Sequence, residues 1–172
     1  MDKQDTEGFL IQPATEADWD GAMELAFRTF MKFEGMEYGR EGINNFATLV
    51  TDPALKKMFL AGLYPVFVAK HQDNLIGLIS LRSGNHISLL FVDEKYHRRG
   101  VGTALIHRMG EYLLQNTHFM RMTVNAAPYG VPFYHELGFL DIAPLTKKDG
   151  ITYVPMELNI ENRECFETEQ KN

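Results

Sequence analysis

The chain has 172 residues, of which 45% are hydrophobic and 23% are charged, and it includes 12 Phe, seven Tyr and one Trp. This length suits one domain, and the apolar content excludes an intrinsically disordered chain. The net charge of −6 argues against a nucleic-acid partner, because an acidic protein repels phosphate backbones. The single cysteine, Cys165, excludes an internal disulfide and a cysteine-based metal site.

The polar N-terminus and the short apolar runs predict a cytoplasmic protein. The first ten residues are too polar for a signal peptide, and the longest apolar runs fall short of the roughly 20 residues that a membrane helix needs. Residues 1–8 and 159–172 are polar and rich in charge, and no repeat or linker interrupts the chain between them. We therefore expect one domain over residues 1–172, with its core at about 9–158 and no membrane partner.

The N-terminal part of the sequence predicts one strand and then helices. A short strand at 11–13 precedes an amphipathic helix at 16–31, and Thr15 with Asp18 forms the pattern of a capped helix start. The apolar stripe of this helix consists of Trp19, Ala22, Met23, Ala26, Phe27 and Phe30. The glycine-rich segment 32–44 predicts a loop. Short helices are then expected at 43–50 and 53–62.

The middle of the sequence predicts an antiparallel meander. Strands are expected at 66–70, 75–82 and 86–92, with turns at 72–74 and 83–85 between them. The second and third of these strands carry apolar residues on nearly both faces. They are therefore expected to be central in the sheet and to be covered by helices on both sides.

The last part of the sequence predicts a helix, a strand, a short helix and a hairpin. A long helix is expected at 100–116, because apolar residues recur every four positions, at Val101, Leu105, Met109 and Leu113. A strand at 121–125 follows, and a short helix runs from Pro132 to a glycine end at Gly138. Segments 139–143 and 152–158 form the hairpin. Together the elements predict an α/β fold of the α+β kind.

The start of the long helix has the features of an anion-binding site. Four basic residues lie within five positions, at Lys95, His97, Arg98 and Arg99. Gly100 and Gly102 follow, and a helix start presents unpaired N–H groups together with a partial positive charge. The glycine patterns of nucleotide hydrolases and of dinucleotide-binding folds are both absent from the sequence. A ligand with several phosphates is therefore expected here, the alternative being an ordinary solvated helix start.

Two blocks of sequence resemble the GNAT superfamily of N-acetyltransferases. Residues 97–102 match its acyl-CoA signature, Gln/Arg-x-x-Gly-x-Gly/Ala, except that His97 stands where the family has Gln or Arg. Residues 124–139 are similar to the family's fifth strand, the helix after it and its Tyr-x-x-x-Gly-Phe ending. The resemblance covers roughly residues 9–158. It implies a mixed, mostly antiparallel sheet of about six to seven strands, four to five helices, and a splayed fourth and fifth strand.

The resemblance also implies acetyl-CoA as co-substrate. No metal is expected, because the histidines are scattered without metal-ligand spacing. In the family, the pantetheine arm lies between the fourth and fifth strands, and we expect a bulge near Phe91 and Val92 to free backbone groups for it. A backbone N–H near Val92 is then expected to stabilise the oxyanion. The residues expected to bind CoA are Phe91, Val92, His97, Arg98, Arg99, Gly100, Val101, Gly102, Thr103, Asn125 and Tyr134.

The resemblance implies direct transfer of the acetyl group to a primary amine within a ternary complex. Tyr134 occupies the family's general-acid position, although an aromatic residue on a short helix can also simply pack in the core. The candidate general bases are His86, Ser88, Glu34 and Glu37. Glu34, Glu37, Tyr38 and Glu41 lie where the family builds its acceptor pocket, and they would suit a cationic small-molecule or peptide amine. A water-facing histidine and a solvated acidic loop are the structural alternatives.

Two other functions fit the sequence. One is a non-catalytic module that binds or senses acyl-CoA, which would keep the phosphate-binding loop without turnover. The other is a protein-interaction domain in which the basic loop has no ligand. Open sheet edges also offer a surface for a homodimer.

Overall fold

A computed structural model describes residues 8–161 of the chain. The expectations for the polar ends at 1–8 and 159–172 fall mostly outside these residues, and Cys165 lies wholly outside them. The elements are β1 (Leu10–Pro13), α1 (Trp19–Phe33), α2 (Gly35–Thr51), α3 (Pro53–Leu60), β2 (Val66–His71), β3 (Asn74–Arg82), β4 (His86–Val92), α4 (Val101–Asn116), β5 (Arg121–Ala126), α5 (Val131–Glu136), β6 (Leu140–Asp141), β7 (Thr146–Lys148) and β8 (Ile151–Asn159).

The strands form one mixed sheet in the order β1, β2, β3, β4, β5, β8, β6, and β7 pairs with β8. Only β4 and β5 run parallel, and the other neighbouring strands are antiparallel. The predicted fold class is confirmed. The described residues contain eight strands rather than six or seven, because the connection from β6 to β8 forms the additional strand β7 at Thr146–Lys148.

β4 and β5 separate along most of their length. They pair at only two positions, His86 with Thr123 and Ile87 with Val124, whereas β5 pairs with β8 from end to end. The predicted splay of the fourth and fifth strands is therefore present. Beyond the second pair, a wedge-shaped gap opens between the carboxyl ends of the two strands, and we call it the β4–β5 gap.

The bulge in β4 is not where the sequence predicted it. Leu81 pairs with Ile87 and Ser80 pairs with Leu89, so Ser88 is the extra residue. The prediction of a bulge near Phe91 and Val92 is wrong. Both of those residues pair regularly with β3, Phe91 with Leu78 and Val92 with Gly77, because the extra residue of β4 is already accommodated at Ser88.

Apolar clusters cover both faces of the sheet, as predicted. One face packs against α1 through a cluster that includes Trp19, Met23, Ala26, Tyr64, Val68, Leu78 and Leu89. The opposite face packs against α4 through a cluster that includes Ile79, Leu81, Leu105, Met109, Met122, Val124 and Phe139. Helix α4 approaches β3 closely at Gly77, where a Cβ atom would lie 3.2 Å from Leu105 Cδ1. The four predicted stripe residues of α4 are all at most 1% exposed.

The segment 32–44 is helical, so the loop predicted there is wrong. α1 continues to Phe33, and α2 begins at Gly35 and is kinked at Gly39, where φ is +63°. Contacts between the two helices outweigh the low helix propensity of the glycines. Phe30 of α1 stacks on Tyr38 at 5.4 Å and on Phe46 at 4.0 Å between ring centroids. The junction of α1 and α2 therefore places Glu34 at a fixed position.

The C-terminal hairpin joins the sheet beside β5. β6 pairs with β8 through Leu140 with Glu157 and Asp141 with Met156, which confirms that the two predicted segments are neighbours. The short helix α5 ends at Glu136, and Gly138 closes it two residues later in the predicted left-handed conformation, with φ +97°. Among residues 8–161, no helix is long and apolar enough to cross a membrane.

Candidate active site

The loop between β4 and α4 presents a set of free N–H groups. The first hydrogen bond of α4 runs from the Ala104 N–H to the Gly100 carbonyl at 2.9 Å. The N–H groups of Val101, Gly102 and Thr103 precede it and have no carbonyl partner within the helix. The Val101 side chain is buried, so this residue offers a ligand only its backbone. Three donors and the helix dipole therefore converge on one point at the start of α4.

The two glycines of the loop have different roles. Gly100 has φ +80°, and a Cβ atom there would meet nothing within 4 Å, so its backbone is open to an approaching ligand. Gly102 is close to Phe133 instead, where a Cβ atom would lie 3.1 Å from Cζ of the ring. Glycine at 102 thus allows α4 and α5 to pack together. The sequence assigned both glycines to the approach of a phosphate, and the geometry supports this for Gly100.

The basic side chains of the loop differ in their surroundings, since two of them face solvent and one bonds to β4. Arg98 and Arg99 are exposed, Arg98 has φ +61°, and the Arg99 guanidinium lies over the Tyr96 ring at 5.4 Å. His97 turns inward, with its Nε2 2.7 Å from the Val92 carbonyl oxygen. The substitution of His for Gln or Arg therefore gives this residue a partner in β4, and the charge at the helix start comes from the two arginines.

Backbone groups of β4 face the β4–β5 gap at alternate residues. The Asp93 N–H donates to the Ile76 carbonyl of β3 at 2.7 Å, and in an antiparallel ladder alternate residues point to the same side. The backbone of Phe91 therefore faces β3, whereas the backbones of Leu90 and Val92 face the gap. The sequence selected Phe91 and missed Leu90, because the register of a ladder follows from pairing and not from composition.

Asn125 lies on the opposite side of the β4–β5 gap, near the end of β5. Its neighbours Val124 and Ala126 are buried on the α4 face of the sheet, so the Asn125 side chain points to the α1 face. It is exposed, and none of the hydrogen bonds between side chains of residues 8–161 uses it. An amide at this position is free to bond a ligand in the gap.

Tyr134 lies on α5 and belongs to the apolar cluster on the α4 face of the sheet. It is 8% exposed and is held by edge-to-face contacts with Phe133 and Phe139, each at 5.2 Å between centroids. Within the described residues its hydroxyl has no hydrogen-bond partner. Burial, and then the charge of Glu34, raise the pKa of this phenol well above its ordinary value. Tyr134 is therefore fully protonated at neutral pH.

Glu34 interacts electrostatically with Tyr134 although the two residues belong to opposite sides of the sheet. Burial, and then the charge of Glu37, raise the pKa of the Glu34 carboxyl from 4.5 to about 7. Tyr38 is 7% exposed, and burial, Glu34 and Glu37 raise its pKa in that order. The structure thus brings together the predicted residues Glu34, Glu37 and Tyr38, and it adds Tyr134 to the group.

The other residues that the sequence predicted for the site lie away from the group formed by Glu34, Glu37, Tyr38 and Tyr134. His86 begins β4, six residues or roughly 20 Å from Val92, and its Nδ1 lies 2.8 Å from the Thr123 hydroxyl. Burial, and then the charge of Arg82, lower the pKa of His86 to about 4. Ser88 accepts a hydrogen bond from the Tyr64 hydroxyl at 2.9 Å. Glu41 packs beside Gly150 in the β7–β8 turn.

Two aromatic residues that no local sequence pattern indicated lie close together, Phe33 at the end of α1 and Tyr129 in the loop after β5. The Phe33 ring at the end of α1 lies 5.5 Å from the Tyr129 ring and 5.0 Å from the His97 ring. The three residues are far apart in the sequence, and no local pattern links them. Over the residues that the structure describes, no group of three His, Cys, Asp or Glu side chains could hold a metal ion.

Comparison with known proteins is consistent with this geometry. A family model described as an acetyltransferase (GNAT) domain matches residues 35–160, which is most of the chain. No curated protein matches the sequence.

Several solved structures share the fold. A GCN5-related N-acetyltransferase from Rhodopseudomonas palustris has a TM-score of 0.72 at 22% identity, covering 87% of this chain and 94% of that one. The PaiA N-acetyltransferase from Thermoplasma acidophilum, in complex with coenzyme A, has a TM-score of 0.71 at 17% identity, covering 88% and 98%. The spermidine N-acetyltransferase from Vibrio cholerae, in complex with CoA and spermine, has a TM-score of 0.66 at 18% identity, covering 91% and 98%.

The matched domain includes both the loop that begins α4 and Tyr134 on α5. The chain therefore belongs to the GNAT family of acetyltransferases, and it is an acyltransferase.

Proposed function

We propose that this protein transfers the acetyl group of acetyl-CoA to a primary amine by direct attack within a ternary complex. The observation that carries the proposal is the electrostatic interaction of the Glu34 carboxyl with the buried Tyr134 phenol. One is a carboxyl with a pKa of about 7, and the other is a buried phenol that keeps its proton. Amine acylation by a thioester needs a base that is ionised near neutral pH and an acid that is still protonated there.

The donor is proposed to bind along the loop and the gap. The N–H groups of Val101, Gly102 and Thr103, with Arg98 and Arg99, would hold the pyrophosphate. The pantetheine arm would then follow the gap, where backbone groups of Leu90 and Val92 face it. Asn125 supports this arrangement because its amide lies free on the other side.

The chemistry requires three proton transfers. Glu34 takes a proton from the ammonium form of the acceptor, which exposes the lone pair for attack on the thioester carbon. The amine nitrogen forms the C–N bond and gives a tetrahedral oxyanion, which N–H groups facing the gap stabilise, and the C–S bond then breaks. Tyr134 gives its proton to the departing sulfur. The second proton of the acylated nitrogen replaces it on the phenol.

Glu34 is a better candidate for the base than His86. A base with a pKa near the working pH is ionised and still accepts a proton effectively, which describes Glu34 at about 7. His86, at about 4, is neutral but weakly basic, and its Nδ1 is engaged with Thr123. The electrostatic interaction of Glu34 with Tyr134 further supports this choice.

The acceptor is proposed to be a small cationic amine. Glu34 and Glu37 provide the carboxylates, and Tyr38 has a buried hydroxyl with no hydrogen-bond partner among the described residues. The structurally similar V. cholerae protein is a spermidine N-acetyltransferase solved with spermine, which adds support for this class of acceptor.

The test is acetyl-CoA-dependent release of free thiol over a panel of polyamines, other amines, aminoglycosides and peptides, in buffer without reductant. We expect thiol release that depends on a cationic amine, with the acetylated product identified by mass spectrometry. Binding of CoA without turnover on any acceptor would favour the non-catalytic module. Absence of CoA binding would refute the donor site.

Substitution of Gly100 tests the donor site separately. Gly100→Glu places a negative side chain where the pyrophosphate is proposed to bind, and it is expected to raise the Kd for CoA roughly 10- to 30-fold. The matched control is Gly62→Glu, since Gly62 also has a positive φ of +78° and open space around its Cβ position. Equal CoA affinity for the two variants, measured by calorimetry, would exclude Gly100 from the site.

A further inference from the structure

Tyr96 lies in the loop between β4 and α4, four residues before Gly100. It ends a short 3₁₀ turn at Glu94–Tyr96, and its N–H donates to the Asp93 carbonyl at 2.9 Å. The Asp93 carboxylate in turn pairs with Arg28 of α1 at 3.1 Å. The Tyr96 ring is half-buried against the apolar cluster on the α4 face of the sheet. Both the backbone and the ring of Tyr96 are therefore held in place.

The Tyr96 hydroxyl bonds to a residue from another strand. It lies 2.9 Å from Nδ1 of His71, and the centroids of the two rings are 5.5 Å apart. His71 is the last residue of β2 and pairs with Asn74 at the turn into β3, so the sheet fixes its position. β3 separates β2 from β4 in the sheet. The hydrogen bond therefore attaches the loop to a strand that does not adjoin it in the chain.

Arg99 lies against the Tyr96 ring, whereas its neighbour Arg98 contacts no ring within the described residues. The guanidinium carbon of Arg99 is 5.4 Å from the ring centroid, which is within the range of a cation–π contact. Among residues 8–161, neither arginine forms an ion pair with a carboxylate. The Arg99 side chain thus contacts an uncharged ring, and its charge is available to a ligand.

This arrangement suits the recognition of a phosphate. An exposed arginine has many rotamers, and it loses that freedom when it binds an anion. Stacking on a fixed ring removes part of the freedom before the ligand binds. It also leaves the N–H groups at the edge of the guanidinium able to donate to phosphate oxygens. The next residue, Gly100, has a backbone that is open to an approaching ligand, so the charge of Arg99 is held beside the open start of α4.

We infer that Tyr96 is a positioning residue of the donor site, which holds the Arg99 guanidinium for the phosphates of the acyl donor, and that His71 fixes Tyr96. The ring face and the hydroxyl of Tyr96 have separate tasks in this arrangement, since one contacts Arg99 and the other bonds His71. The inference rests on the proposed donor site and does not depend on the proposed chemistry.

The experiment is a double-mutant cycle on the Kd for CoA, measured by calorimetry. Arg99→Gln is expected to raise the Kd about tenfold, and Tyr96→Leu about three- to fivefold. Tyr96 acts through Arg99, so the double variant is expected to bind CoA no more weakly than Arg99→Gln alone. Independent contributions would multiply to roughly 30- to 50-fold in the double variant, and that result would overturn the inference.

Arg98 provides the matched control for the cycle. It is exposed like Arg99 and is next to it in the sequence, but it does not contact the Tyr96 ring. The effects of Arg98→Gln and Tyr96→Leu are therefore expected to multiply. If Tyr96→Leu instead distorted the whole loop, its effect would be coupled to both arginines alike. Tyr96 would then be a structural residue only, and the inference would fail.

Conservative variants separate the ring from the hydroxyl and guard against a folding defect in Tyr96→Leu. Tyr96→Phe keeps the ring but loses the bond to His71, and it is expected to raise the Kd for CoA only about twofold. His71→Leu removes the same bond and is expected to have the same effect, with no further loss when the two are combined. A Tyr96→Phe variant that binds CoA as weakly as Tyr96→Leu would show that the ring face does not hold Arg99, which overturns the inference.

The cycle also distinguishes this inference from the proposed function. CoA binding with the expected coupling, but without turnover on any amine, would support the positioning role and contradict the proposed acetyl transfer. Turnover together with a wild-type Kd in Arg99→Gln would support the transfer and overturn the positioning role. A wild-type chain that does not bind CoA would contradict both.

Discussion

Tyr134→Phe is expected to lower kcat by roughly 10²- to 10⁴-fold while the Kd for CoA stays unchanged. The substitution removes one oxygen and with it the proton that the departing sulfur needs. The hydroxyl has no hydrogen-bond partner in the described part of the chain, and the ring is held by Phe133 and Phe139, so the fold is expected to tolerate the change. The measurement is steady-state thiol release together with calorimetric titration of CoA.

The control for this prediction is Tyr112→Phe. It removes the same group from a half-buried tyrosine on α4 whose ring packs against Phe67. Full activity in this variant and loss of activity in Tyr134→Phe would assign the effect to the position. A Tyr134→Phe enzyme with the wild-type kcat would show that the sulfur leaves as a thiolate or takes its proton from water, and Tyr134 would then be a core residue.

Glu34→Gln is expected to lower kcat about 100-fold or more at pH 8 and to remove the acidic limb of the pH profile. The wild-type rate should rise with pH and level off above an apparent pKa of about 7, because the carboxylate is the form that accepts the proton. In Glu37→Gln the limb is expected to remain but to move to lower pH, since the charge of Glu37 contributes to the raised pKa. If the acidic limb of the pH profile persisted unchanged in Glu34→Gln, it would belong to a different titrating residue.

The same ionisation affects stability. The pKa of Glu34 is raised from 4.5 to about 7 on folding, so the folded state holds its proton more tightly than the unfolded state does. Ionisation of Glu34 therefore lowers the free energy of unfolding as the pH rises from about 4.5 to 7. Glu34→Gln should recover part of this loss above pH 7, of the order of 1–3 kcal/mol, in chemical denaturation.

Local patterns in the sequence predicted most of the fold. Helix α4 and strands β2 to β5 follow from spacings within each segment, and the loop before α4 was recognised because its glycines and arginines are contiguous. The segment 32–44 was mispredicted because its glycines suggest a loop, whereas the contacts that make it helical come from Phe30 and Phe46. Tertiary contacts of this kind override propensity.

The arrangement of the site depends on long-range contacts more strongly than the individual helices and strands do. Tyr134 and Glu34 were both named as candidates, but they are 100 positions apart in the sequence, and only the splay of β4 and β5 lets them interact. Leu90 was missed because its role follows from the ladder register. Phe33 and Tyr129 were missed because three separate elements have to meet before their rings form a group.

The separation of β4 and β5 also bears on how the protein avoids self-association. Beyond Ile87 and Val124, the backbone groups of each strand that face the other strand are not paired with it, so they form sheet edges inside the molecule rather than at its rim. Such edges attract strands from other chains and can start aggregation. Here each is only a few residues long, and Phe33 at the end of α1 contacts His97 and Tyr129, which follow the two strands. Helix α1 thus shields a β-edge, so weakening its attachment to the loop through Asp93 should raise the tendency to aggregate before it lowers the helix content.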